Sequence, residues 1–168
     1  LFDDPGQILY DTVNGWLYVI DQGNNRVQTY NSKGEFLRAW GREGAGNLEF
    51  RAPSDIAYDQ NAGWLYIIDT GNDRIQWMDV QGRFRGIKGS TGGGDEQFIN
   101  PTALAVDAVN SWVYVVDQGN HRIQKFDNRL RFLLSWGSKG DGDGQFQTPG
   151  EIAIDPDGNW IYVLDKGN

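Results

Sequence analysis

At 168 residues, with 39% hydrophobic and 13% aromatic side chains, the chain can build a substantial core and is too apolar to be disordered. Its net charge of −8, from 15 Lys and Arg against 23 Asp and Glu, argues against nucleic-acid binding and against docking on anionic membranes. The absence of cysteine excludes disulfides, thiolate metal sites and cysteine nucleophiles, and no apolar run approaches the ~20 residues that membrane insertion requires.

A period of 48 residues organises the whole sequence. Phe recurs at 2, 50, 98 and 146, Pro at 5, 53, 101 and 149, Trp at 16, 64, 112 and 160, and Tyr at 18, 66, 114 and 162. Asp recurs at 11, 59, 107 and 155 and again at 21, 69, 117 and 165, with Asn24, Asn72, Asn120 and Asn168 closing the pattern. No insertion interrupts it, so the units are 1–48, 49–96, 97–144 and a half unit 145–168.

Within a unit, β-branched and aromatic runs alternate with Gly, Asn and Asp clusters. The second unit shows the order. It predicts strands at Asp55–Tyr58, Trp64–Asp69, Arg74–Met78 and Arg83–Ile87. Turns fall at Gln60–Gly63, Thr70–Asp73 and Asp79–Gly82, and the glycine-rich segment Gly89–Phe98 leads to the next unit. Four antiparallel strands in this length is the size of a propeller blade. The run Trp64–Asp69 is apolar on both pleat faces, which requires a sheet covered on each side by another sheet. Leu130 stands where the other units have Gly34 and Gly82, so that turn is expected to differ.

The segments Tyr18–Gln28, Tyr66–Gln76 and Tyr114–Gln124, with the Gly-x-Phe steps at Gly34–Phe36 and Gly82–Phe84, resemble the NHL repeat family. The glycine-rich leads into Gln97-Phe98 and Gln145-Phe146 fit the same resemblance. It implies an all-β fold: a partial NHL-type β-propeller of about three and a half four-stranded antiparallel blades. NHL propellers usually have about six blades, which points to part of a longer chain. The alternative is an open arc whose strand 160–165 pairs with another molecule.

The candidate chemistry is modest. The repeated cluster Asp21, Asn24 and Arg26, Asp69, Asn72 and Arg74, and Asp117, Asn120 and Arg122 reads as scaffold: turn-capping Asp and Asn with a bridging guanidinium. Trp16, Trp64, Trp112 and Trp160, one per unit, read as packing between blades, whereas Trp40 and Trp136 fall on the outermost strand. The first strand of each blade should line the channel, with Gln7, Asp55, Ala103 and Glu151 at one matching position. Asp55 and Glu151 are weak candidates for a structural cation, the only cofactor in view. The segment Gly140–Gly144 lacks the further ligands of a calcium loop, and His121, the single histidine, precludes a multi-histidine zinc site.

Positions that vary between units point to a partner-binding rim on the turn between second and third strands: Asn25, Asp73 and His121, and Gln22, Thr70 and Gln118. The expected role is a non-enzymatic binding or scaffold module for a protein, peptide or glycan, extracellular or periplasmic by the company such propellers keep. A metal-dependent lactonase or lyase using channel carboxylates, and a structural protein that self-assembles through blade edges, are the alternatives.

Overall fold

The computed structural model describes residues 1–168 as an all-β molecule. The first blade contains β1 (Pro5–Asp11), β2 (Trp16–Asp21), β3 (Arg26–Asn31) and β4 (Phe36–Trp40). The second contains β5 (Pro53–Asp59), β6 (Trp64–Asp69), β7 (Arg74–Asp79) and β8 (Phe84–Lys88). The third contains β9 (Pro101–Asp107), β10 (Trp112–Asp117), β11 (Arg122–Phe126) and β12 (Phe132–Trp136). A fourth sheet pairs β13 (Pro149–Ile154) with β14 (Ile161–Asp165). Every sheet is an antiparallel meander in chain order, and the innermost strands β1, β5, β9 and β13 pack side by side around the axis.

Boundaries shift from the sequence expectation for local reasons. β5 begins at Pro53 rather than Asp55, because the pairing with β6 continues past an irregularity between those residues. β8 begins at Phe84 because Arg83 belongs to the turn: its N–H donates to Asp79 Oδ1 and its carbonyl accepts the Asp79 N–H. The turn at Leu130 does not differ from its counterparts. Leu130 adopts the same left-handed backbone as Gly34 and Gly82, with φ of 54° against 79° and 81°. Its N–H makes the same turn bond, to Asp127.

β6 shows how the blades hold together. Leu65, Tyr66, Ile67 and Ile68 are all fully buried. Leu65 and Ile67 share a cluster with Tyr18 and Ile20 of the first blade. Tyr66 and Ile68 share another with Val113 and Val115 of the third. Tyr114 and Val116 in turn face Ile161 and Val163. Strand alternation therefore sends neighbouring side chains into different cores, and each fully buried aliphatic contributes about 1.5–3 kcal/mol.

Connectors between blades fold back on themselves. Phe50, Phe98 and Phe146 bridge in parallel to Glu43, Thr91 and Lys139. Their rings lie against Gly41, Gly89 and Gly137, where an added Cβ would stand 2.7, 2.7 and 2.6 Å from the ring. With φ of 105°, 116° and 101° as well, only glycine fits.

Candidate functional site

The Asp-Asn-Arg clusters form internal staples. Asp69 is fully buried; its Oδ1 accepts the Arg51 N–H at 2.7 Å and Asn72 Nδ2 at 3.0 Å, and its Oδ2 accepts Arg74 Nε at 2.6 Å. Arg74 then donates to the carbonyls of Ala45, Gly46 and Glu49, tying down the glycine-rich connector. Arg122 repeats this on Gly93, Gly94 and Gln97. Asp21 is held by the Asp3 N–H, Arg26 and Asn24. Burial raises the Asp21 carboxyl, but these donors outweigh it and leave the group below its ordinary value. Asp117 is fully buried between Arg122 and Asn120.

Sequence reasoning missed one member of the staple. Gln28, Gln76 and Gln124 are buried; each donates to the Asp of its own blade, and the last two also bridge to the connector. Gln76 donates to the Glu49 carbonyl and accepts the Leu48 N–H; Gln124 does the same with Gln97 and Glu96. The signal was available as a glutamine recurring every 48 residues on a strand otherwise rich in apolar side chains.

Five of the six rim candidates make bonds between blades. Asn25 Oδ1 accepts the Ala52 N–H at 2.8 Å, Asp73 Oδ1 accepts the Asn100 N–H at 2.8 Å, and His121 Nδ1 lies 2.8 Å from the Gln147 carbonyl. All three sit in the left-handed region, with φ of 52°, 49° and 53°. Thr70 donates from Oγ1 towards the Pro101 carbonyl and Ser54 Oγ, and Gln118 donates to the Pro149 carbonyl. Gln22 is half-buried at the matching position.

Trp16, Trp64 and Trp112 are half-buried against the three clusters in turn, whereas Trp160 is exposed. Trp16 carries the Arg38 guanidinium 4.7 Å from its ring centroid, and Trp112 carries Lys125 Nζ at 3.0 Å. Trp40 and Trp136, on the outermost strands, are half-buried against Tyr18 and Tyr114.

At the rim end of the axis the four inner strands border a half-open cavity of about 350 Å³, whose lining includes the polar residues Gln7, Ser54, Asp55, Thr102, Glu151 and Lys166. Hydroxyls lace the inner strands together at one repeat's separation. Ser54 Oγ donates to the Thr102 carbonyl at 2.9 Å, and Thr102 Oγ1 to the Gly150 carbonyl at 3.1 Å. Asp55 is 8% exposed and bridges two blades, one oxygen accepting its neighbour Ile56 N–H and the other the Leu104 N–H, each at 2.8 Å. Burial pushes its carboxyl up to about 6 against those two N–H donors, and the Glu151 charge adds to the rise. Glu151 is exposed and has Lys166 Nζ at 3.5 Å. Asp55 and Glu151 thus share one cavity, but no group of three or more His, Asp or Glu side chains comes together that could hold a metal ion.

Residues 1–88 of the 168 match the 6-bladed beta-propeller family. No curated protein matches the sequence. Among solved structures, the fold is similar to a chain of the Kuenenia stuttgartiensis hydrazine synthase, with TM-score 0.74 and 16% identity over 98% of this chain and 44% of that one. It is also similar to a chain of a nidogen/laminin complex (TM-score 0.73, 18% identity, 94% of this chain, 55% of that one) and to a streptogramin B lyase (TM-score 0.72, 12% identity, 98% and 49%). The chain spans about half the length of each, and at such identities the likeness is one of fold. With more than half of its length matched and its strands arranged as successive antiparallel blades, the chain belongs to the 6-bladed beta-propeller family.

Proposed function

We propose that this NHL-like propeller segment is a non-enzymatic binding module, and that a protein, peptide or glycan places part of itself in the rim mouth of the axial cavity. The observation that carries the reading is the cavity between β1, β5, β9 and β13, whose polar walls are pre-set by bonds between blades. Rigid walls lower the ordering cost of binding, and concave polar sites on such scaffolds confer selectivity. The rim turns support the same location. Thr70 and Gln118 bond to the carbonyls of Pro101 and Pro149, next in sequence to the lining residues Thr102 and Gly150, which braces the mouth from the rim.

The test is to screen the immobilised chain on peptide and glycan arrays, then repeat each hit with Gln7→Trp, which fills the mouth from an exposed position. Lys33→Trp, on the exposed turn before β4, is the control. Binding lost in the first variant and kept in the second supports the reading. Hits that survive Gln7→Trp unchanged would place recognition elsewhere and end it.

A further inference from the structure

We infer that the axial mouth selects a cationic group, a primary ammonium or guanidinium such as a lysine or arginine side chain presents. The inference rests on the binding reading above and follows from a donor and acceptor count around the cavity. The hydroxyl protons are already committed: Thr70 to either the Pro101 carbonyl or Ser54 Oγ, Ser54 to the Thr102 carbonyl, Thr102 to the Gly150 carbonyl. What faces the cavity uncommitted is acceptor capacity on two carboxylates, set against the N–H groups of Gln7 and the Lys166 ammonium. Each Asp55 oxygen accepts a single N–H, leaving lone pairs open, and Glu151 makes only an ion pair with Lys166, at 3.5 Å.

Charge points the same way. The ionisable side chains lining the cavity are Asp55 from β5, Glu151 from β13 and Lys166 just beyond β14; β1 contributes the neutral Gln7 and β9 the neutral Thr102 and Ala103. Two carboxylates against one ammonium leave one negative charge in excess. A guest that donates hydrogen bonds and carries positive charge satisfies both the open lone pairs and that excess, and a carboxyl as buried as Asp55 gives a stronger charge-assisted bond than one in open solvent. A neutral or anionic guest would leave the carboxylates facing an unmatched surface.

The experiment is a titration of the chain, followed by NMR, with N-acetyl-lysine amide, N-acetyl-arginine amide and, as the uncharged control, N-acetyl-norleucine amide. The expected result is binding of the two cations and not of norleucine, weakened about tenfold by Glu151→Gln and by Asp55→Asn. Lys166→Gln should act in the opposite direction and tighten binding, because it removes a competing cation. Glu151 and Lys166 are exposed, so those variants report on binding even if Asp55→Asn perturbs folding. Cations that bind no better than norleucine, or affinities that ignore Glu151→Gln and Lys166→Gln, overturn the inference. A neutral glycan lost with Gln7→Trp but indifferent to those two charges would sink the cation inference while the axial-mouth reading stands.

Discussion

Gly82 lies directly against the indole of Trp40 from the preceding blade: a Cβ built on Gly82 would stand 2.5 Å from Trp40 Nε1. The backbone there has φ of 81°, so both space and conformation call for glycine. Gly82→Ala should therefore cost about 1–3 kcal/mol in denaturant unfolding. Trp40→Lys in the same chain should recover part of that loss by removing the obstruction. An alanine variant as stable as the parent would show that the ring moves aside freely.

One repeat later the junction is rebuilt. Lys88 stands where Trp40 does, Glu96 where Leu48 does, and Leu130 where Gly82 does. Trp40 and Leu48 pack on the apolar cluster, whereas Lys88 Nζ and Glu96 Oε2 form an ion pair at 3.0 Å and Leu130 is fully buried. Replacing Lys88 by Trp alone should destabilise the chain, since Leu130 fills the space an indole would need. The triple change Lys88→Trp, Glu96→Leu and Leu130→Gly should restore most of the loss, because it reproduces the neighbouring junction. Equal loss in the single and triple variants, read from unfolding midpoints, would disprove this coupling.

Leu130 itself sets two effects against each other. A left-handed leucine costs about 1–2 kcal/mol, while its full burial contributes about 1.5–3 kcal/mol. Burial wins narrowly, so Leu130→Gly should destabilise by about 1 kcal/mol. A stabilised glycine variant would mean that strain dominates.

Much of the fold was legible because the 48-residue period marks every strand and capping Asp at once. The two-faced burial of Trp64–Asp69 followed from its lack of polar alternation. What the period concealed are contacts at other separations. The rim residue Asp73 accepts the Asn100 N–H and Asp55 the Leu104 N–H, partners whose proximity depends on the angle between blades and not on residue type. The Leu130 turn misled for a related reason: glycine at a turn suggests its own necessity, but burial elsewhere can hold leucine in the same conformation.

Asp59 reveals a flaw in the scaffold. Asp11 Oδ2 and Asp107 Oδ2 accept the side chains of Asn14 and Asn110, but Ala62 occupies the matching position, and Asp59 Oδ2 is buried without a partner. Ala62→Asn should supply the missing donor and stabilise the chain by about 0.5–1.5 kcal/mol, visible as a raised melting temperature. No gain would indicate that Asn61 and Ser111 already crowd the space.

The Asp55 carboxyl gives stability a pH dependence of unusual sign. Its pKa is raised from 3.8 to about 6 on folding, so the proton is held more tightly in the native state. The contribution is complete below about pH 3.8 and is lost as pH rises through 6, on the order of 3 kcal/mol. The lowered carboxyls of Asp21, Asp107, Asp127 and Asp165 titrate below that window. Stability measured at pH 5 and pH 7.5 should fall more in the parent than in Asp55→Ala, a residue the third blade already carries as Ala103. Parallel profiles would rule this linkage out.

Because β6 divides its side chains between two neighbours, no blade owns a private interior. The interface that receives one blade is reproduced on that blade's far side, down to hydroxyl bonds such as Ser54 to Thr102 and Thr102 to Gly150. Gene duplication of a single unit therefore delivers both halves of a new joint already matched. Duplicating one unit in frame would need no newly invented complementary surface, whereas the joint at Lys88 and Leu130 presents different residues from the joint before it.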